Sequence, residues 1–351
     1  MDFDDLDDEI DKRVADGEQV LGFVRENRQP AKGTVLEPME RSMKLPSDKM
    51  LPGKIQTLLP PYSGEPLKEK KPLIRLLAVY GAGDSVAQAW CFTGHDAPPE
   101  VEMATFEFPG HGIREDEPFC ESLQKLGDDC FEAFREAMDT GPFALLGHSI
   151  GCLVITYVAE RAKRELNVDP LFAFMLERGP PHLAVLNDFG YKLLREEPVP
   201  FLYRYQPTVA KLVTDTPSDM TRRMANMWHK DLHLENDTRE IGFYKFPCPI
   251  MAFVAMTVDG SEYVIWKDLS EDTQKMRSWM NDVRQRRECK DGRTFCAHFQ
   301  RDDFDGWSEW TDLPDSTTVV ECRGQDHMSI KVNPGTKGKV FGALQKLVEK
   351  F

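Results

Sequence analysis

Short apolar runs alternate with helical patterns from about residue 73 onward, and this alternation constrains the possible folds most. The six strand-length runs are Leu73 to Tyr80, Glu102 to Phe108, Phe143 to Leu146, Leu171 to Leu176, Ile250 to Ala255 and Thr317 to Cys322. Between the second and third runs, apolar residues recur at three- and four-residue intervals from Leu123 to Met138, which predicts an amphipathic helix. Strands that alternate with helices favour an α/β fold with a mostly parallel central sheet flanked by helices.

Charge and apolar run length limit the classes of ligand. The formal net charge of −15 argues against nucleic-acid binding, which needs a basic face. None of the apolar runs approaches the roughly 20 residues that span a bilayer, so no membrane span is expected. The stretch Met1 to Asp11 is acidic, unlike a secretory signal or an Arg-rich transit peptide. A cytoplasmic location is therefore the default expectation, although organelle targeting is not excluded.

The eight cysteines are scattered and show no metal-ligand spacing with one another or with histidines. We therefore expect free thiols, no metal site and no cofactor. A small-molecule or protein-borne substrate fits this composition better than a nucleic acid.

Two interruptions and an extension divide the chain. Residues 1–70, acidic and then rich in Pro, Lys and Met, are predicted to form a partly flexible extension to a catalytic domain over 71–351. Within that domain, residues 180–246 contain helical patterns without a good strand and are predicted to form a helical lid. Residues 267–314 are strongly charged, which is typical of a surface insertion.

A Gly-x-Ser-x-Gly motif, Gly147 to Gly151, follows the third apolar run and precedes a helical pattern. In this context the motif predicts a nucleophile elbow, a tight strand-to-helix turn that exposes the serine. Such a turn brings strand and helix close together, which requires very small residues at Gly147 and Gly151. Ser149 is the predicted nucleophile, and the N–H of Ile150 at the helix start would face developing negative charge.

A serine nucleophile needs a base and an orienting acid, which α/β-hydrolases supply in the chain order Ser, Asp or Glu, His. His327 follows the last apolar run and is the last histidine of the chain, so it is the predicted base. Asp259 comes just after the run Ile250 to Ala255 and is the predicted acid, with Glu262 and Asp268 as alternatives. The loop after the first run offers the N–H of Ala82 as a second oxyanion donor.

Several separate segments resemble the type II thioesterases that accompany polyketide, non-ribosomal peptide and fatty-acid synthesis. Pro109 to Arg114 with Glu117-Pro118 resembles that family's Pro-Gly-Arg-Gly-x-Arg-x-x-Glu-Pro motif. Ala82-Gly83, Gly147 to Gly151 and Gly324 to His327 resemble its first loop, elbow and terminal Gly-Gly-His. The resemblance covers about residues 73–349 and implies an α/β-hydrolase that cleaves acyl thioesters on the phosphopantetheine arm of an acyl carrier protein.

The sequence also departs from the family pattern. Asp84 stands where a second loop glycine is usual, His111 replaces the usual arginine, and Gln325-Asp326 separates glycine from histidine. The charged segment makes the number of residues between Asp259 and His327 larger than is usual in the family. Two other functions remain open: a small-molecule esterase or acyltransferase, and a catalytically silent α/β-hydrolase-fold subunit that binds partners.

The predicted lid is rich in methionine and aromatic residues. Met224, Met227 and Trp228 lie in one helical stretch of it and are predicted to contact the acyl chain, because flexible thioethers suit a variable apolar ligand. The alternative is that they only pack the lid onto the main domain.

Overall fold

A computed structural model describes residues 55–58, 74–85, 98, 100–183, 194–196, 219–235, 244–256, 263–265, 293–295, 301–325 and 327–350. For residues 55–58, 219–225, 263–265 and 293–295, only the backbone is described. Asp259, Glu262 and Asp268 lie outside the described residues, as does the side chain of Met224.

A seven-stranded sheet forms the centre of the described structure. Its strands are β1 (Ile55–Leu58), β2 (Ile74–Val79), β3 (Val101–Phe106), β4 (Phe143–His148), β5 (Ala173–Leu176), β6 (Ile250–Met256) and β9 (Thr318–Arg323), in the order β1-β3-β2-β4-β5-β6-β9. Strands β2 to β6 and β9 are all parallel, whereas β1 pairs antiparallel with β3 at one edge. The mostly parallel sheet predicted from the six apolar runs is confirmed.

Helices cover both faces of this sheet, because successive side chains along each strand point to opposite faces and both sets are apolar. On β2, Leu77 and Val79 belong to one apolar cluster, whereas Leu76 and Ala78 belong to another. The first cluster includes helices α1 (Leu123–Asp139) and α2 (Ile150–Leu166); the second includes α4 (Pro334–Val348). Strands buried on both faces read as continuous apolar runs, which is the pattern that the sequence shows.

Helix α1 confirms the amphipathic helix predicted between the second and third runs. It begins after Ser122, whose hydroxyl accepts a hydrogen bond from the N–H of Lys125 at 3.1 Å. Its buried residues include Leu126, Phe131 and Phe134, which face the sheet. No helix in the described ranges is long and apolar enough to cross a membrane.

The predicted extension and the predicted surface insertion differ from the sequence prediction where they are described. Ile55–Leu58 lies within the predicted extension, yet it forms β1 of the central sheet. The predicted surface insertion, residues 267–314, contains β8 (Arg293–Phe295), which pairs antiparallel with β7 (Tyr263–Ile265) just before the insertion, and then a 3₁₀ segment, Arg301–Trp310. Phe304, Trp307 and Trp310 of that segment are buried in the core. These aromatic side chains therefore anchor the C-terminal part of the predicted insertion, despite the charged residues around them.

Candidate active site

Ser149 lies at the turn between β4 and α2. Its backbone has φ 54° and ψ −125°, its side chain is buried, and α2 begins at the next residue. A Cβ added to Gly147 would lie 2.5 Å from the backbone N of Cys152, and one added to Gly151 would overlap the carbonyl oxygen of Val79. Only glycine therefore fits either position, and the strained strand–turn–helix geometry predicted for the elbow is present.

The loop after β2 lies against this turn. Strands β2 and β4 are parallel neighbours, so the chain leaves both of them at the same edge of the sheet. A Cβ added to Gly81 would lie 2.7 Å from Nδ1 of His148, directly before the serine. The structure thus places the Gly81 to Ser85 loop, with Ala82, beside the start of α2 at Ile150. Binding of an oxyanion by the N–H groups of Ala82 and Ile150 stays a prediction.

His327 follows β9, and because β9 is parallel to the central strands, it lies at the same edge of the sheet as Ser149. Its carbonyl oxygen lies 2.8 Å from Nε2 of His148, and the two imidazole rings are 4.9 Å apart. A carbonyl can only accept a hydrogen bond, so Nε2 of His148 carries the proton. Burial holds the pKa of His148 well below its usual range, so this ring is neutral. His327 is therefore hydrogen-bonded to the residue that directly precedes Ser149.

Glu177 is a site residue that the sequence analysis did not select. It follows β5, is buried, and places Oε2 3.3 Å from Nδ1 of His327. Its other oxygen, Oε1, accepts a hydrogen bond from the N–H of Ala255 in β6. The sequence signal for this residue is the pair Glu177-Arg178 directly after a buried apolar run. The sequence prediction took the acid from the end of β6 and therefore did not include a residue at the end of β5. Asp259, the predicted acid, stays a prediction because it lies outside the described residues.

Two buried ionic groups hold the Gly81 to Ser85 loop. Oδ2 of Asp231 accepts a hydrogen bond from the N–H of Gly83 at 2.7 Å. On the other side, Nζ of Lys331, four residues after His327, forms a buried ion pair with Asp84. Asp84, which departs from the family pattern, is thus tied to the segment that carries the histidine.

The same Asp231 carboxylate contacts His111, the other departure from the family pattern. Nε2 of His111 lies 3.1 Å from Oδ2 of Asp231, and Nδ1 lies 3.0 Å from the carbonyl oxygen of Pro109. Both partners are acceptors, so the doubly protonated ring satisfies both. Burial opposes this charge, yet the carboxylate of Asp231 outweighs it and raises the pKa of His111.

Helix α3 (Asp219–Leu234) is the longest described element of the predicted lid, and it packs on the Gly81 to Ser85 loop. A Cβ added to Gly83 would lie 3.1 Å from Cα of Trp228. Trp228 is partly buried against the main core, and Met227 is also partly buried. All three predicted lid residues, Met224, Met227 and Trp228, therefore lie on this helix beside the loop. Their contact with an acyl chain stays a prediction.

The parallel sheet with helices on both faces and an elbow serine after a central strand defines the class: this is an α/β-hydrolase fold. Residues 86–239 match the family model described as Thioesterase domain. The thioesterase resemblance inferred from the motifs is confirmed by this match, and thioester hydrolysis is the general activity that the match supports.

Three similar proteins illustrate this likeness. The gramicidin S biosynthesis protein GrsT of Aneurinibacillus migulanus is 26% identical over 201 residues, which cover 56% of this chain and 74% of GrsT. The structure of BorB, a type II thioesterase from the borrelidin biosynthetic cluster, superposes with a TM-score of 0.53 at 17% identity, covering 84% of this chain and 96% of BorB. RedJ, a thioesterase of the prodiginine pathway in Streptomyces coelicolor, gives a TM-score of 0.52 at 18% identity, covering 78% of this chain and 85% of RedJ.

Proposed function

We propose that this protein is a serine hydrolase that cleaves acyl thioesters, with Ser149 as nucleophile and His327 as general base. The observation that carries the proposal is the position of Ser149, strained and buried at the β4–α2 turn, beside a histidine pair that includes His327. Such strain persists at functional sites because the surrounding structure enforces it. The thioesterase family match supports the choice of a thioester over other acyl substrates.

The proposed reaction has two half-reactions. Oγ of Ser149 attacks the thioester carbonyl while Nε2 of His327 takes the hydroxyl proton. The N–H groups of Ala82 and Ile150 bind the oxyanion. When the C–S bond breaks, His327 returns the proton to the leaving thiolate. Water then attacks the acyl-serine with the same base, which releases the carboxylic acid and restores the serine.

The proposed substrate is an acyl group on the phosphopantetheine thiol of an acyl carrier protein. The support is the similarity to thioesterases from biosynthetic clusters, such as BorB and RedJ. The phosphopantetheine arm is long and narrow, so it can deliver a thioester to a serine that is mostly shielded from solvent, as Ser149 is. We propose a cytoplasmic location for this activity, in keeping with the sequence.

A fluorophosphonate probe and paired substrates test this function. We expect the probe to label wild type but not Ser149→Ala, and acyl carrier protein thioesters to be hydrolysed only by wild type. The free acyl-pantetheine thioester and the matching oxygen ester serve as controls. Faster hydrolysis of the oxygen ester would favour an esterase, and an unlabelled wild type would favour a silent binding subunit.

A further inference from the structure

We infer that Glu177 is the carboxylate that positions His327 for catalysis, although it follows β5 rather than β6. This inference deepens the proposed function and rests on its assignment of His327 as base. It replaces Asp259 as the acid of the triad.

The two carboxylate oxygens of Glu177 have separate partners. Oε1 accepts from the N–H of Ala255, which fixes the carboxylate to the end of β6. Oε2 faces Nδ1 of His327 at 3.3 Å, and both side chains are shielded from solvent, with 6% and 13% of their surface exposed. A buried carboxylate at Nδ1 keeps the proton on that nitrogen, which leaves the Nε2 lone pair free to accept the serine proton.

The backbone of Glu177 is strained. Its φ is 54°, in the left-handed region that disfavours residues with a Cβ. The residue is nevertheless a glutamate, and its N–H donates to the carbonyl of Phe253 at 2.9 Å. A strained conformation in a buried residue that touches the proposed base indicates that its side chain, and not local backbone preference, determines the residue type.

Glu177 is also in register with the nucleophile. The N–H of Ser149 donates to the carbonyl of Leu176, the residue before Glu177, at 2.9 Å. The strand that carries the carboxylate is therefore bonded directly to the elbow turn. The nearby buried carboxylate of Glu235 lies 3.6 Å from Nε of Arg178, which provides its charge partner. Glu177 is thus the carboxylate that lies against Nδ1 of His327.

The kinetic test compares Glu177→Gln with Asp259→Asn in the full-length protein, with carrier-protein thioester as substrate. Gln retains an oxygen for the Ala255 N–H, but it then presents its amide N–H groups to His327 and favours the wrong tautomer. We expect kcat to fall by roughly 10³- to 10⁴-fold, as in other triads, while KM changes by less than about threefold. Asp259→Asn should lower kcat far less than Glu177→Gln does, and equal losses in the two variants would contradict this assignment. The reverse ranking would overturn the inference.

A spectroscopic test does not depend on activity. In ¹⁵N-histidine-labelled protein, the Nδ1 proton of His327 should give a downfield resonance that Glu177→Gln removes and Asp259→Asn retains. Loss of this resonance in Asp259→Asn alone would overturn the inference, even if the proposed hydrolase activity were absent. Should Glu177→Gln fail to fold, Glu177→Asp retains the charge on a shorter side chain. The inference then requires that the Asp variant keep the resonance, and its loss would overturn the assignment.

Discussion

The carboxylate of Asp231 accepts a hydrogen bond from the N–H of Gly83 at 2.7 Å, joining helix α3 to the loop after β2. Gly83 directly follows Ala82, the proposed second oxyanion donor. The position of α3 is therefore coupled to the direction in which the Ala82 N–H points. Because α3 belongs to the predicted lid, movement of that helix would also move one half of the proposed oxyanion hole.

This coupling predicts that Asp231→Ala lowers kcat by roughly 10- to 100-fold, less than the 10²- to 10³-fold typical of removing an oxyanion donor outright. The loop would lose its anchor while the Ala82 N–H itself remains. Asp231→Asn is the control, since its amide oxygen can still accept from Gly83, and it should retain more activity. An Ala variant with the wild-type kcat and an unchanged melting temperature would show that the bond does not position the loop.

The pair of His111 and Asp231 predicts a pH dependence of stability. The folded state raises the pKa of His111 above its unfolded value of about 6.5, so it binds the proton more tightly than the unfolded chain does. The resulting stabilisation is fully present below the unfolded pKa and is lost as pH rises through the raised folded pKa.

Chemical denaturation at several pH values measures this effect. The difference in free energy of unfolding between wild type and His111→Gln should be largest at acidic pH and shrink as pH rises. His111→Arg keeps a charge at all these pH values, so in this variant the contribution of position 111 to the free energy of unfolding should not change with pH. A difference that stays constant from pH 5 to 9 would contradict the charged pair.

Ser149 and His327 are predicted to act as a unit. The single variants Ser149→Ala and His327→Ala should each lower kcat by about 10⁴- to 10⁶-fold, and the double variant should be no slower than either. Single-turnover hydrolysis of one acyl thioester by all three variants measures this. Independent, multiplicative losses would mean that the two side chains do not share one proton transfer.

Helix α3 is predicted to contact the acyl chain through Met227. Met227→Trp should depress cleavage of long-chain acyl thioesters at least about tenfold more than cleavage of acetyl thioester, because the larger ring occupies space that only long chains need. Met227→Ala is the matched control and should spare the long chains. A uniform loss across chain lengths would favour the alternative that Met227 only packs the lid onto the main domain.

The strands and the elbow could be predicted from the sequence because their signals are local. Buried parallel strands appear as apolar runs, and the glycines at 147 and 151 report a close backbone approach that only small residues permit. The sequence does not predict β1, because a four-residue strand, Ile55–Leu58, is too short to show a pattern beside so many prolines.

The contacts between distant segments could not be predicted in the same way. Glu177 and His327 are 150 residues apart, and only the adjacency of β5, β6 and β9 brings them together. In the sequence, Asp84 is only a departure from the family's loop glycine, and its ion pair with Lys331 is apparent only in the structure. Such pairings depend on strand order, which the apolar runs alone do not determine.

The edge position of β1 has a consequence for shortening the chain. Ile55 to Leu58 cover the outer backbone of β3 in antiparallel register, from Ile55 opposite Phe106 to Leu58 opposite Met103. A truncated protein that starts at residue 55 keeps this cover. One that starts at residue 71 bares the N–H and C=O groups of β3, a ready template for self-association. Aggregation of the shorter form would then reflect an exposed sheet edge and not damage to the catalytic core.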